Sequence, residues 1–455
     1  MGVGDWSYST RKVQCCGKQW ALPSGLNFPL WRRWLITLAS CMLTLFVSSV
    51  STSYASTSAA MGHDLHASSY VFGCAIAPML LAPVSETFGR YRLMTATTWI
   101  WAVCLLPQAL APNIAVVILF RFIAGCAAAG GSTLVGGTVA DLWTAEERAL
   151  PMALFTLSAF LGTGLGPAYG GAITEKWGWR WLYWFQLILC GVFSLFFTLA
   201  TEETRVAEPS QDPLRKRILD CFSRPCLLLM RERIVLALAT WVGFSWGIMY
   251  LSLEAVSGVL VEVYGFSLTR VGLAFLCASA GGLIAFSFLL PQNKLYRAYQ
   301  ARLGPEARLF IALPGSVLLP GGILLFAFAQ GARAPVVAPL FGVVLLFSGI
   351  SMIYSAVTAY LADAFEAHAS SALAGVSLVR NLGGTALPLF MPAAYDKLGY
   401  QWASVIAAAA GCVMAPMPWL LMLYGRRLRG AGSAGSGSAS ARDGRGPGRA
   451  TQESR

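Results

Sequence analysis

Three charged side chains stand where this sequence should least tolerate them: Arg121, Glu254 and Arg380 fall inside long apolar runs. A charge at the centre of a membrane costs at least about 2.5 kcal/mol on insertion scales, so such residues face protein or water and mark functional paths by default. Arg121 lies in LFRFIAGCAAAGG, where small residues from Gly125 to Gly131 let neighbouring helices approach closely. It is expected to face the bundle interior with a partner; gluing helices together is the plainer alternative. Glu254, in MYLSLEAV, is the acid placed inside a run and away from its cytoplasmic mouth. Hydrocarbon disfavours a charged carboxyl, so taking up and releasing a proton is the chemistry expected there. A hydrogen-bonded carboxyl near the outer interface is the alternative. Arg380 and Asn381 are adjacent polar residues in another run; they would line a cavity or reach Glu254. Trp246 and Tyr250 are four apart and share a helix face. They would form an aromatic wall for lipophilic ligands, or simply pack.

Other chemistries lack their residues. No GxxxxGK[ST] string, dinucleotide fingerprint or activated nucleophile is present, so ATP is not expected to supply energy. Neither catalytic residues nor metal ligands are assigned, and no cofactor is expected. Cys41, Cys74, Cys104, Cys126, Cys190, Cys277 and Cys412 sit in apolar runs as small hydrophobes. Cys15 and Cys16 precede the first run and are weak palmitoylation candidates. His63, Asp64 and His66 read as solvated loop residues sooner than as a metal or pH site.

The elements that must position these residues follow from composition. The chain has 455 residues, of which 56% are hydrophobic and 12% charged, with a mean hydropathy of +0.61. Soluble domains carry about 25% charged residues. The apolar residues come in runs of about twenty, long enough to span ~30 Å of hydrocarbon. Spans are predicted at 34–55, 68–84, 93–111, 114–140, 150–173 and 179–200, then at 234–256, 268–290, 309–330, 335–362, 371–391 and 401–424. The fold class is an all-α integral membrane protein of twelve transmembrane helices in two six-helix halves. Residues 1–33 form an N-terminal tail, 34–200 the first bundle, 201–233 a polar linker, 234–424 the second bundle and 425–455 a Gly/Ser-rich tail expected to be disordered. The second span is unusually short, with Gly73, Pro78 and Pro83 inside it. The first run is preceded by a polar tail and is expected to stay as an anchor, not to be cleaved.

The formal net charge of +12 has a location as well as a size. Lys176, Arg180, Arg270, Arg333 and Lys397 fall in outer loops and Arg121 and Arg380 within spans; the remaining Lys and Arg, of 33, fall in the tails and alternate loops. That bias puts both termini in the cytoplasm and makes nucleic acid an improbable partner. The partners expected are the lipid bilayer, a small-molecule substrate and protons, with no obligate protein partner evident.

At the inner end of the second span, APVSETFGRYR places Glu86, Gly89 and Arg90 at a tight turn. In the fifth span Gly162, Gly166 and Gly170 recur every fourth residue, followed by Gly171, and Pro167 interrupts the helix hydrogen bonding. These strings resemble motifs of the major facilitator superfamily, from residue 27 to 429. The turn is similar to Gly-x-x-x-Asp-Arg-x-Gly-Arg-Arg, with Ala82 in place of the first glycine, Glu86 in place of the aspartate and Thr87 in place of a base. The fifth span is similar to the antiporter string Gly-x-x-x-Gly-Pro-x-x-Gly-Gly. NFPLWRRWLIT, ADLWTAEERALPMALF and SSALAGVSLVRNLGGTALPLF resemble fungal drug:proton antiporters of the twelve-span group, polyamine and multidrug exporters included.

The resemblance implies that Glu86 sits against the N-terminus of helix 11, that Arg90 pairs with Asp141, and that Arg121 aids proton transfer. It also implies a secondary transporter, not an enzyme, that exports lipophilic drugs, toxins or secondary metabolites across the plasma membrane by alternating access. The proton gradient would drive it. A polyamine exporter is the alternative within the group. A non-transporting receptor or a defective paralogue with a truncated second span is the alternative outside it.

Overall fold

Hydrocarbon offers no hydrogen bonds, so apolar segments that cross it must satisfy their backbone internally, as helices do. A computed structural model shows how the segments assemble; it describes residues 12–15, 18–21, 28–56, 65–144, 147–203, 226–331, 335–365 and 369–425. Helix α1 is Leu30–Thr52, continued by a tight turn at Ser53–Ser56. There follow α2 (Leu65–Phe88), α3 (Arg90–Ala109), α4 (Ile114–Leu142), α5 (Ala149–Trp177) and α6 (Trp179–Ala200). The second half holds α7 (Arg233–Glu262), α8 in two segments (Leu268–Ala274 and Leu276–Leu303), α9 (Ala312–Ala329) and α10 (Val337–Ala364). The stretch Ala369–Met414 breaks at Gly399 into α11 (369–398) and α12, which begins at 400 and runs on to 425. Ahead of α1, β1 (Lys12–Cys15) and β2 (Lys18–Ala21) pair as a small antiparallel hairpin.

Nine helical stretches among the described residues are long and apolar enough to cross a membrane, leaving out α2, α3 and α11. The second helix differs from its expected short span. It has 24 residues, about 36 Å at 1.5 Å per residue, because it continues through polar residues at both ends of the apolar stretch. His66, expected in a solvated loop, falls within it. Cys16, His63, Asp64, Arg333, most of the linker and the C-terminal tail lie outside the described residues, although 226–231 of the linker is helical.

The halves are repeats in structure. Gly178 separates α5 from α6 with φ 83°, and Gly399 separates α11 from α12 with φ 74°. Side chains other than glycine seldom adopt that backbone. The flanking sequences, EKWGWRW and DKLGYQW, align around these two glycines. Each half also has its own apolar core. Trp101, Leu105 and Phe197 are buried in the first and Trp241, Phe347 and Tyr360 in the second.

Helix α5 joins the halves through backbone contact. A Cβ added at Gly162, Gly166 or Gly170 would run into the carbonyl oxygens of Leu45, Ser49 and Ser53, one per turn of α1 and the turn after it. On the opposite side, Gly164 lies against Phe275 and Ser279 of α8, and Gly171 lies against Leu268. The prolines are accommodated in the same economical way. Pro167 cannot donate to the carbonyl of Thr163, and the hydroxyl of Thr52 donates to that oxygen at 3.1 Å.

This packing predicts that Gly166→Ala destabilises the protein by about 1–3 kcal/mol, because the obstructing atom is backbone. Gly191→Ala, with nothing within 4 Å of its added methyl, should be close to neutral. Thermal unfolding in detergent, followed by a thiol-reactive dye reporting exposure of the buried cysteines, measures both.

Candidate functional site: a cavity between the two halves

A narrow cavity of about 70 Å³, partly open to solvent, lies between the halves. Helices α1, α2 and α5 line it from the first half, and α7, α10 and α11 from the second. One wall carries hydroxyls: Thr44, Ser48, Ser51, Thr52 and Thr163. The facing wall is aromatic. Trp246 is edge-on to Phe160, with centroids 5.9 Å apart, and stands 4.8 Å from the ring of Tyr354. Tyr250 shares a 3.0 Å hydrogen bond with Ser51 across the halves.

Arg380 and Asn381 line this cavity, together with Trp246 and Tyr250. The guanidinium of Arg380 is 5.0 Å from the Trp246 ring centroid and 5.3 Å from that of Tyr354, within cation–π range. Its Nη1 donates to the Tyr354 hydroxyl at 2.7 Å and its Nε to Asn381 Oδ1 at 3.2 Å. Asn381 Nδ2 in turn donates to the carbonyl of Cys74 at 2.7 Å. Cys74 is four residues before Pro78, which has no N–H to offer that carbonyl. A side chain from the second half therefore fills a gap that a proline opened in the first.

Arg121 and Glu254 do not line the cavity. Arg121 is 2% exposed within the first half, donating from Nε to the Tyr183 hydroxyl at 3.2 Å. Its guanidinium lies 5.7 Å and 6.0 Å from the ring centroids of Tyr183 and Tyr54. Glu254 lies one turn beyond Tyr250 on α7, close enough to Tyr395 of α11 to interact electrostatically. Among the described residues it makes no ion pair with Arg380 within 4.0 Å.

Charges gather at the end of the bundle where α1 begins and α12 ends. Arg90 Nε is 2.6 Å from Asp141 Oδ2, so the turn between α2 and α3 is tied to the end of α4. Gly89 adopts φ 95°, and the Glu203 carboxylate packs where its side chain would be. That carboxylate accepts the backbone N–H of Arg90 at 2.8 Å, capping α3 where the helix dipole favours a negative charge. Glu86 lies in α2, and its side chain is outside the described residues. The second half repeats the ion pair, with Arg308 Nε 2.7 Å from Asp363 Oδ2 at the end of α10 and Tyr296 donating to the same oxygen at 2.9 Å.

The opposite end is held differently. There Ser257 donates to the carbonyl of Ala55 at 2.5 Å and the backbone N–H of Thr269 to Glu175 Oε2 at 2.6 Å, while midway along α5, beside Phe160, Ser279 donates to the carbonyl of Leu161 at 3.1 Å. All three join one half to the other. Nearer the charged end, a second cavity of about 50 Å³ separates the start of α5 from the ends of α8 and α10.

Sequence reasoning missed Phe160, Tyr354, Asp363 and Glu203. Tyr354 is one aromatic among many in apolar helices. Asp363 did leave a signal, since the basic loop after the eighth span has the same place in its half as the Arg90 loop.

Two six-helix repeats around a cavity, apolar outside and polar at one wall, define a multi-pass membrane transporter, not an enzyme. The chain belongs to the major facilitator superfamily, whose description matches residues 33–351. It is 31% identical over 441 residues to the MFS-type efflux pump MFS2 of Trichophyton rubrum, covering 89% of this chain and 74% of that relative. It is 30% identical over 438 residues to the efflux pump FUBT of Fusarium oxysporum, covering 88% and 74%. These relatives place it with fungal efflux transporters. The proton:xylose symporter XylE has the same fold, with a TM-score of 0.64 at 15% identity over 87% of this chain and 97% of that one.

The Arg90–Asp141 pair is mostly buried, and removing one partner leaves the other charge uncompensated. Asp141→Ala is expected to cost about 3 kcal/mol. The double variant Arg90→Ala with Asp141→Ala should cost less than the sum of the two single changes, as a double-mutant cycle on thermal unfolding would read.

Proposed function

We propose that this protein exports lipophilic small molecules by proton-coupled alternating access. Drugs, toxins or secondary metabolites are its ligand class, and it acts in the plasma membrane with both termini cytoplasmic. The observation that carries the reading is the cavity, built by three helices of each half and bounded at the end opposite the termini by the bonds of Ser257 to Ala55 and of Thr269 to Glu175. Rocking the halves about α5 would break those bonds and close the second cavity near the charged end, exchanging the side to which ligand has access. The glycine faces of α5 suit that motion, since they present smooth backbone to both α1 and α8. The charged pairs Arg90–Asp141 and Arg308–Asp363 would stabilise particular states of the inner end.

Glu254 is the proposed proton carrier. It lies on α7 between Tyr250 and Ser257, the two side chains that bond α1 and the turn after it across the halves. A charged carboxylate at that contact opposes its closure, and a neutral carboxyl permits it. Proton release toward one side would thereby accompany opening on that side. Arg121, held by Tyr183, would stiffen the first half and adjust the field along the path. No cofactor is required; the proton gradient supplies the energy.

Polyamine export fits less well, because the charged side chain lining the cavity among the described residues is the cation Arg380.

The test is substrate-driven proton movement in proteoliposomes, read with a trapped pH dye. Wild type should move protons on adding a lipophilic substrate. Glu254→Gln should lose proton-driven transport while retaining substrate exchange between the two faces. Undiminished proton-driven flux in Glu254→Gln would remove that residue from the mechanism. Side-specific labelling of engineered tail cysteines in intact cells checks the orientation, and reaction of either tail from outside would contradict it.

A further inference from the structure

The cavity has a chemical asymmetry that narrows its ligand beyond lipophilicity. Arg380 is only 5% exposed, yet among the described residues no carboxylate stands within 4.0 Å of it. Its partners are neutral: the Tyr354 hydroxyl, the Asn381 amide oxygen and two aromatic faces. Nη1 and Nε are engaged, and Nη2 has no hydrogen-bond partner among the described residues. Arg90 and Arg308, at the charged end, are each matched by an acid, whereas Arg121, buried within the first half and away from the cavity, is held by Tyr183. A desolvated guanidinium without a counter-charge is costly, and the cost falls when an anion enters beside it.

Accepting the efflux reading above, we infer that the transported ligand is an amphipathic organic anion, whose carboxylate or similarly charged oxygens bind Arg380 while its apolar body lies along Trp246, Phe160 and Tyr354. The fit is chemical on both counts. A planar guanidinium held from one side by Tyr354 and Asn381 presents its remaining N–H groups in fixed directions, which suits carboxylate oxygens. Trp246, itself 9% exposed, gives an apolar ligand body a flat surface next to that charge. The hydroxyls of Ser51 and Thr52 on the opposite wall accept or donate without adding charge, and so tolerate varied ligands. Asn381 links the site to the half-to-half contact at Cys74, so an anion drawing on Arg380 also bears on the contact that positions α2.

The experiment compares matched probes, a series of 4-alkylbenzoates and the corresponding uncharged 4-alkylbenzamides, on the purified full-length protein. Binding is read by quenching of tryptophan emission, and export by loss of the same compounds from loaded cells. Wild type should bind the benzoates roughly tenfold or more tightly than the benzamides, as a charge-assisted hydrogen-bonded pair requires. Arg380→Gln should erase that preference while leaving benzamide binding within about twofold, and Arg380→Lys should keep part of it. Tyr354→Phe removes an orienting hydroxyl and keeps the charge, so the preference should survive there even if Arg380→Gln fails to fold. Equal affinity for the two series in wild type, or binding of neither, overturns the inference. So does equal weakening of both series by Arg380→Gln, the sign of a merely structural arginine. Export of both series at equal rates would sink the anion preference and leave efflux standing, whereas binding of benzoates without any export would sink the efflux reading alone.

Discussion

Backbone polar groups in the membrane-spanning helices must find their partners inside the protein, because the surrounding hydrocarbon supplies none. That constraint explains which side chains meet. Pro78 and Pro167 each strip a backbone carbonyl of its helical donor, and each carbonyl is served by a side chain from another helix: Asn381 to Cys74 and Thr52 to Thr163. The first bond joins the halves and the second joins α1 to α5. Kinks that weaken a helix thus become the places where helices are tied together. The cost of an unmet carbonyl, about 1–3 kcal/mol or more in an apolar setting, is large enough to enforce such pairing.

The same constraint divides the molecule into a part that can slide and a part that holds. Close backbone contact along α5 depends on van der Waals packing with no side chains between, which gives little resistance to small rotations. Directional bonds then select among positions. At one end the halves are joined by Ser257 and Thr269. At the other, each half carries its own arginine–aspartate pair, repeated at equivalent turns, with Glu203 capping the first. Both arginine–aspartate pairs are largely buried, so separating either leaves a charge uncompensated, whereas the Thr269–Glu175 bond at the other end lies in the open and breaks at modest cost.

Within the cavity, one wall of hydroxyls and one of aromatic rings meet at a single guanidinium. Large flat surfaces bind many apolar bodies with little discrimination, whereas a buried charge discriminates strongly because leaving it unpaired is expensive. Breadth and selectivity would therefore come from different residues of the same site.

The sequence alone determined the class, because hydrophobic length and charge density report directly on the solvent a segment prefers. Apolar runs gave the helices, and the glycine spacing in α5 gave its smooth face. Arg380, Asn381, Trp246 and Tyr250 stood out as polar or aromatic residues in hydrocarbon, and all four line the cavity. What each residue touches was settled only by tertiary structure. The length of α2 could not be read from its apolar run, since a helix continues through any residues that keep its backbone bonded. Glu254 and Arg380 both look like cavity charges in one dimension, yet only Arg380 lines the cavity, because rotation about each helix axis and the tilt between helices fix direction, and neither is written in local spacing. Tyr354 and Phe160 carry no local mark at all, and Asp363 is marked only indirectly, by the basic loop after the eighth span. Their roles arise from neighbours tens to hundreds of residues away, which only the folded bundle brings within bonding distance.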